Sequence, residues 1–240
     1  MSTYPRSITE LFGIELPVIL APMLGVVTTA MIVGVAKAGG LGSLAASSLG
    51  GEEMRNIFSE IRRQTSKPIS GHRGTFLRGK VEAQVGTMAL VPQIVDAVKV
   101  PVIAAGGIGD PRGVAAAFAL GASAVQVGTA FLFCDEANLS PLYRHAIRAT
   151  RPEQTVITNI FTGRPARVRE TRIVRELGPL AGNVPDFPLA VAPLAPLRAA
   201  SEPHERTDFM PLWCGQAASL SPELSAEALT RWLMRLGEAF

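Results

Sequence analysis

The chain has 240 residues, of which 48% are hydrophobic and 18% charged, and its formal net charge is +3. That size suits one large domain or two small ones around a sizeable core. The basic residues are scattered, apart from a loose run between Arg164 and Arg175, and no basic stripe is interleaved with aromatics, which argues against a nucleic-acid partner.

Five short apolar runs predict buried strands, at Val18–Leu20, 41–44, a stub at 68–70, 100–105 and Ala124–Val127. Helical patterns fall between most of them. Residues 29–38 run into Gly39 and Gly40, a fitting C-terminal stop. Met54, Ile57, Phe58 and Ile61 recur at the helical spacing, and so do Leu90, Val91, Ile94, Val95 and Val98. Asp110 and Pro111 cap and open a helix over 112–120 that halts at Gly121. Strands alternating with helices predict parallel strands with helical crossovers. Residues 70–88, rich in glycine and charge, read as a loop. Beyond residue 135 the pattern loosens. Ser140 and Pro141 start a helix to about Thr150, residues 155–161 read as extended, and residues 183–203 read as an irregular, proline-rich connection. Ser221 and Pro222 open a last helix with Leu229, Trp232, Leu233 and Leu236 on one face.

Two uncharged windows, 17–36 and 114–134, have the length of a membrane span, which takes about 20 mostly apolar residues in one helix. Pro22 and Gly25 interrupt the first, and Gly121, Ser123, Gln126 and Gly128 the second, so each reads as a strand joined to a helix and no membrane partner is expected. Cys134 and Cys214 fit no metal-ligand spacing and read as reduced thiols of a cytoplasmic protein. No metal site is expected. The opening Met-Ser-Thr-Tyr-Pro-Arg does not read as a signal peptide.

The strongest chemical signal is a pair of strand ends. "PVIAAGGIGD" sets Gly106 and Gly107 just past one strand, and "AVQVGTAF" sets Gly128 and Thr129 at the end of the next. Backbone amides freed by glycine at such ends bind phosphate, and loops after the last strands of a (β/α)₈ barrel commonly form such a site. The alternative is that the glycines merely permit tight turns. In "PVILAPMLGVV", Ala21, Pro22 and Met23 follow the first strand and either wall a flat aromatic ligand or plug the barrel end. His72, in "PISGHRGTF", lies among glycines after a strand stub. An imidazole moves protons near neutral pH, and the glycines allow close approach, although an ordinary turn residue fits the same pattern. His145 and His204 read as structural. "FTGRPAR" reads as a solvated, carbonyl-bonded loop, and Trp213 in "DFMPLWCGQ" as an aromatic anchor for the last helix.

Taken together, "LPVILAPMLGVVT", "AGGLGSLAA", "GHRGTF", "ALVPQIVDAV", "PVIAAGGIGDPRGVAAAFALGASAVQVGTAFL", "FTGRPAR" and "DFMPLWCGQ" resemble the flavin-dependent nitronate monooxygenases in order and spacing. The resemblance implies a TIM-type barrel holding FMN. Ala21, Pro22 and Met23 would flank the flavin. Gly107 and the segment of Gln126, Val127, Gly128 and Thr129 would hold its phosphate and ribityl chain, and Gly71 and Gly106 would also bind the cofactor. His72 would bind the anionic substrate or remove its α-proton, with Arg73 favouring an anion beside it. The implied reaction is oxidation of an alkyl nitronate by O₂ to a carbonyl compound and nitrite.

The family pattern is interrupted at one point. Its third strand and its "GGHRG" loop are normally far apart, whereas here Lys67, Pro68 and Ile69 run straight into Ser70, Gly71 and His72, with serine where glycine is usual. A full barrel takes ~250 residues, and the stretch from 17 to 129 holds about four such units. The expected fold is therefore α/β and TIM-barrel-derived: an incomplete (β/α) barrel of about four to five parallel strands over residues 1–135, with a helical C-terminal extension over 136–240 packing back on it. Open edges imply a homo-oligomer that completes the barrel, or a remnant that binds FMN weakly. A flavin-dependent enoyl reductase and a flavin-free phosphate-sugar barrel enzyme remain alternatives.

Overall fold

The computed structural model describes residues 7–45, 51–72, 85–187 and 189–236. The described residues form two compact units, one within 1–75, 85–138 and 220–240, the other within 139–219.

The first unit holds α1 (Ile8–Phe12), β1 (Val18–Leu20), α2 (Thr29–Lys37), β2 (Gly42–Ala45), α3 (Gly51–Gln64), β3 (Ile69–His72), α4 (Thr87–Ala97), β4 (Ile103–Ala105), α5 (Pro111–Ala119) and β5 (Ala124–Val127). β1 pairs with β5, β5 with β4, and β2 with β3, all parallel. A further parallel bridge, Ile19 to Leu41, joins β1 to the residue before β2, with the Leu20 amide donating to the Leu41 carbonyl at 3.0 Å. The lateral order is thus β3-β2-β1-β5-β4, with the first strand between the second and the last, as in a closing barrel. Among the described residues β3 and β4 do not pair, so the five parallel strands form an open sheet.

Local chemistry sets the boundaries. Thr28 caps α2 by accepting from the Met31 amide, and Asp110 caps α5 by accepting from Gly113. α2 stops where Gly39 takes φ +96, α5 where Gly121 takes φ +93. The windows that mimic membrane spans resolve into β1 with α2, and α5 with β5. No helix among the described residues is long and apolar enough to cross a membrane. β1 is buried along its length, whereas in β4 Ile103 and Ala105 are exposed and Ala104 is buried. Strands of a parallel sheet are normally covered on both faces, so β4 marks an uncovered one. Nearer the start of the sheet, Ile19, Leu41 and Ala124 cluster with Ile8, Ile14 and Phe12 in and beside α1, which closes that end.

The last helix differs from expectation. α9 spans Ala226–Leu233, and its cap is Ser225 rather than Ser221. Both Glu136 carboxylate oxygens accept from the Ala226 amide at 3.0 Å, which fixes the start of α9 there. α9 lies against α2, where a Cβ on Gly34 would come within 3.2 Å of the Glu227 amide nitrogen. Leu229 and Leu233 are fully buried, Trp232 partly, and Leu236 lies exposed past the helix end.

The second unit contains α6 (Pro141–Arg148), an antiparallel pair of β6 (Thr155–Thr158) and β7 (Ala166–Arg169), α7 (Arg172–Leu177) and α8 (Ala195–Ser201). The expected extended run 155–161 is strand to Thr158 only, and "FTGRPAR" turns the chain into β7. α8 and a 3-10 helix at Leu189–Leu194 occupy most of the segment expected to be irregular.

Candidate functional site

Because β1 to β5 run parallel, their C-terminal ends share one edge of the sheet, and ligands of open and closed α/β sheets bind at that edge. The Ala21 amide donates to the Val127 carbonyl at 2.8 Å, carrying the β1–β5 pairing one residue further. Pro22 and Met23 follow, half-buried. The Met23 carbonyl accepts from the amides of Val26 and Val27 at 3.2 and 3.1 Å and so closes a turn, in which Gly25 takes φ +76. A Cβ built on Gly128 would lie 3.4 Å from the Ala21 Cβ and 3.8 Å from the Met23 sulfur. Ala21, Met23 and Gly128 therefore form one small cradle across β1 and β5.

On the neighbouring strand, Gly106 and Gly107 follow β4 with φ of +97 and +75. Two successive positive values need glycine at both positions. A Cβ on Gly107 would meet nothing within 4 Å, so this turn faces open space. Among the described residues, neither the Gly107 nor the Gly128 amide is bonded to a protein acceptor. Gln126 stands in register with Ile19 on one side and Ala105 on the other, half-buried. Val127 is buried, and Thr129 begins a 3-10 helix running to Phe133. Unbonded amides at adjacent strand ends, with room before them, fit a phosphate.

Gly71 and His72 end β3, opposite Leu44 and Ala45 of β2. They share the C-terminal edge but lie two strands from β1 on the far side of β2. The His72 imidazole and Arg73 fall outside what is described. Thr87 belongs to this edge although its sequence context marks it merely as the start of a helix: its hydroxyl lies 2.9 Å from the Gly106 carbonyl oxygen.

In the second unit, Arg167 of "FTGRPAR" donates to the Thr155 hydroxyl at 3.0 Å and lies 3.4 Å from the Thr155 carbonyl oxygen, and Arg169, past that motif, donates to the Ala146 carbonyl at 2.7 Å. Trp213 stacks edge-on against Phe161, with ring centroids 5.8 Å apart, and bridges to Val168; its partners are residues of β7 and the turn before it. Among the described residues no cluster of three or more His, Cys, Asp or Glu is placed to hold a metal. Both cysteines are buried, and neither is in a disulfide among the described residues.

Burial pushes the Cys214 thiol up to about 11, against partial relief from Arg169 and Thr150, so it is not a nucleophile at neutral pH. Burial also raises the Tyr143 phenol, which donates to the Trp213 carbonyl at 3.1 Å. An acid with a raised folded value stabilises the fold below its ordinary value and loses that contribution as pH rises. Stability is therefore expected to fall between pH 9 and 11, by on the order of 2 kcal/mol from Cys214. The thermal midpoint measured across that range checks this; Cys214→Ala should flatten the first part of the decline, and an unchanged midpoint to pH 11 would contradict it.

The sequence profile of the family described as nitronate monooxygenase matches residues 6–70 and 70–235, two segments that abut at Ser70. A probable nitronate monooxygenase of Staphylococcus saprophyticus is 42% identical over 161 residues, covering 66% of this chain and 45% of that protein. Another, from Staphylococcus aureus strain Newman, is 44% identical over 152 residues, covering 63% and 43%. This chain thus spans about half the length of the curated relatives it matches. Among solved structures, nitroalkane oxidase from Streptomyces ansochromogenes superposes with a TM-score of 0.82 at 24% identity, over 94% of this chain and 96% of that one, a likeness of fold. FabK from Thermotoga maritima superposes with a TM-score of 0.77 at 26% identity, over 97% and 96%. With the profile covering nearly all of the sequence, and with the glycine turns at the ends of β4 and β5 held on a parallel sheet, the chain belongs to the nitronate monooxygenase family.

Proposed function

We propose that the chain oxidises alkyl nitronates with O₂ to a carbonyl compound and nitrite, using FMN held at the C-terminal edge of the sheet. The observation that carries this reading is the pair of unbonded amides, Gly107 and Gly128, at the ends of adjacent strands. They would receive the phosphate, with Gly106 and Thr129 flanking it. Ala21, Pro22 and Met23 would lie against the ring system, and Gln126, Val127 and Gly71 would line the approach from the strands. Bound there, FMN supplies the redox chemistry that carries an electron from the nitronate to O₂. His72 would either take the α-proton of a neutral nitroalkane, which yields the nitronate, or hold the anionic nitronate itself, and Met23 and Pro22 would exclude water from one side.

The two profile segments meeting at Ser70 support an internal shortening at that point. The unpaired β3 and β4 among the described residues support a gap between them, as if about three βα units of an eight-unit ring were absent. One consequence is exposed apolar surface beside β4: Met88, Leu90, Ile94 and Val98 on and just past α4, and Val100 and Ile103, are all exposed. We propose that a second copy of the chain covers it. Two buried cysteines outside any disulfide support a reducing, cytoplasmic setting.

Size-exclusion chromatography with visible absorbance tests cofactor and assembly together. The expected result is a yellow dimer that releases nitrite from an alkyl nitronate. A colourless protein that ignores added FMN would mean a non-catalytic remnant. The FabK likeness supports a second reading as an enoyl reductase, which NAD(P)H consumption with an enoyl thioester would reveal.

A further inference from the structure

We infer that Thr87 is a positioning residue that aims the Gly107 amide at the bound phosphate; this rests on the phosphate-site reading above. Thr87 is the first residue of α4, and that helix has no side-chain cap at Gly86. A threonine at the N-cap spends its hydroxyl on its own helix, but Thr87 lies one residue past that position. Here the hydroxyl reaches across to the turn after β4, 2.9 Å from the Gly106 carbonyl oxygen and 3.3 Å from that of Ala105. A hydroxyl has one proton to give, and the shorter contact takes it.

The consequence follows from peptide geometry. In a planar trans peptide the C=O and the following N–H point to opposite sides. The Gly106 carbonyl and the Gly107 amide belong to the same peptide. With the carbonyl held toward Thr87 on α4, the amide is turned away from α4, on the side left free for a ligand. The adjoining residues do not fix that orientation, because glycines at φ +97 and +75 allow the peptide between them to rotate at little cost. Thr87 also sits close: a Cβ on Gly106 would fall 3.3 Å from its hydroxyl oxygen, whereas a Cβ on Gly107 would meet nothing within 4 Å. One flank of the turn is therefore packed by the threonine and the other is open. The hydroxyl selects a single peptide orientation before the anion arrives, which is preorganisation of a donor.

The test compares FMN with riboflavin, which lacks the phosphate, by flavin-fluorescence titration of the full chain. The unsubstituted protein should bind FMN more tightly than riboflavin. Thr87→Val keeps the shape and removes the hydroxyl, and should weaken FMN by about three- to tenfold, the worth of one hydrogen bond, while leaving riboflavin unchanged. Thr87→Ser should stay within about twofold of the original for both. The inference is overturned if Thr87→Val keeps the original FMN-to-riboflavin ratio, if both flavins weaken equally, or if Thr87→Ser falls as far as Thr87→Val. A protein that does not distinguish FMN from riboflavin at all instead overturns the phosphate site itself, and the inference with it.

Discussion

His72→Ala is expected to lower nitrite release from a neutral nitroalkane by about 10²- to 10⁴-fold if His72 removes the α-proton, the usual worth of a positioned acid–base group, and to weaken the use of a preformed nitronate if His72 holds the anion. The backbone of His72 closes β3 at the same edge of the sheet as the glycine turns, in register with Ala45. An imidazole is the side chain suited to exchanging a proton near neutral pH. Affinity for FMN should change little, because the proposed phosphate donors lie on β4 and β5, separated from β3 by β2 and β1. Two roles separate in the kinetics. Loss of a base lowers kcat with the nitroalkane but not with the preformed nitronate, and the nitroalkane pH–rate profile loses its acidic limb. Loss of an anion binder raises KM, and Arg or Lys at position 72 restores part of it. A His72→Ala protein that releases nitrite from both substrates at the original rate would remove this residue from the chemistry.

Gly128→Asp is expected to abolish tight FMN binding, whereas Gly128→Ala should nearly preserve it. The contrast follows from geometry. Gly128 has φ −114, open to any residue, and an added Cβ would make ordinary contacts of 3.4 Å with Ala21 and 3.8 Å with the Met23 sulfur. Size alone is thus tolerated. A carboxylate, by contrast, brings a negative charge to where a phosphate is proposed to sit. Two unit charges about 4 Å apart near a protein surface repel by about 4 kcal/mol, close to a thousandfold in affinity. Flavin titration and the thermal midpoint of the flavin-free protein measure both effects. Equal FMN affinity for the alanine and aspartate variants would place the phosphate elsewhere. Unfolding of the alanine variant would show instead that glycine is needed for packing.

Much of the first unit was legible in the sequence because its signals are local. Val18–Leu20 and Ala124–Val127 are strands over the residues that their apolar runs predict. Thr29, Pro111 and Pro141 open helices, with Thr28, Asp110 and Ser140 beside them as caps. The glycine pairs that stop a helix or follow a strand are visible as glycine, and the order of the motifs identifies the family. Where the sequence misled, a distant partner decided. Ser221 followed by Pro222 is the start that the sequence favours, yet α9 begins after Ser225, because Glu136, far away in the chain, binds the Ala226 amide. The β6–β7 hairpin is only half legible: Thr155–Thr158 reads as extended, but Ala166–Arg169 alternates over four residues only, too few to mark a strand, and its pairing with β6 crosses the intervening turn. α7 escaped because six residues are too few to show a period.

The sequence by itself determined the family, the five parallel strands and the glycines placed at their ends, since each is written in short runs of neighbouring residues. The tertiary structure alone decided which strands lie side by side, that β4 keeps an uncovered face, and that a threonine on α4 holds the carbonyl of Gly106. Those facts depend on hydrogen bonds between groups far apart in the chain, and no local pattern encodes them.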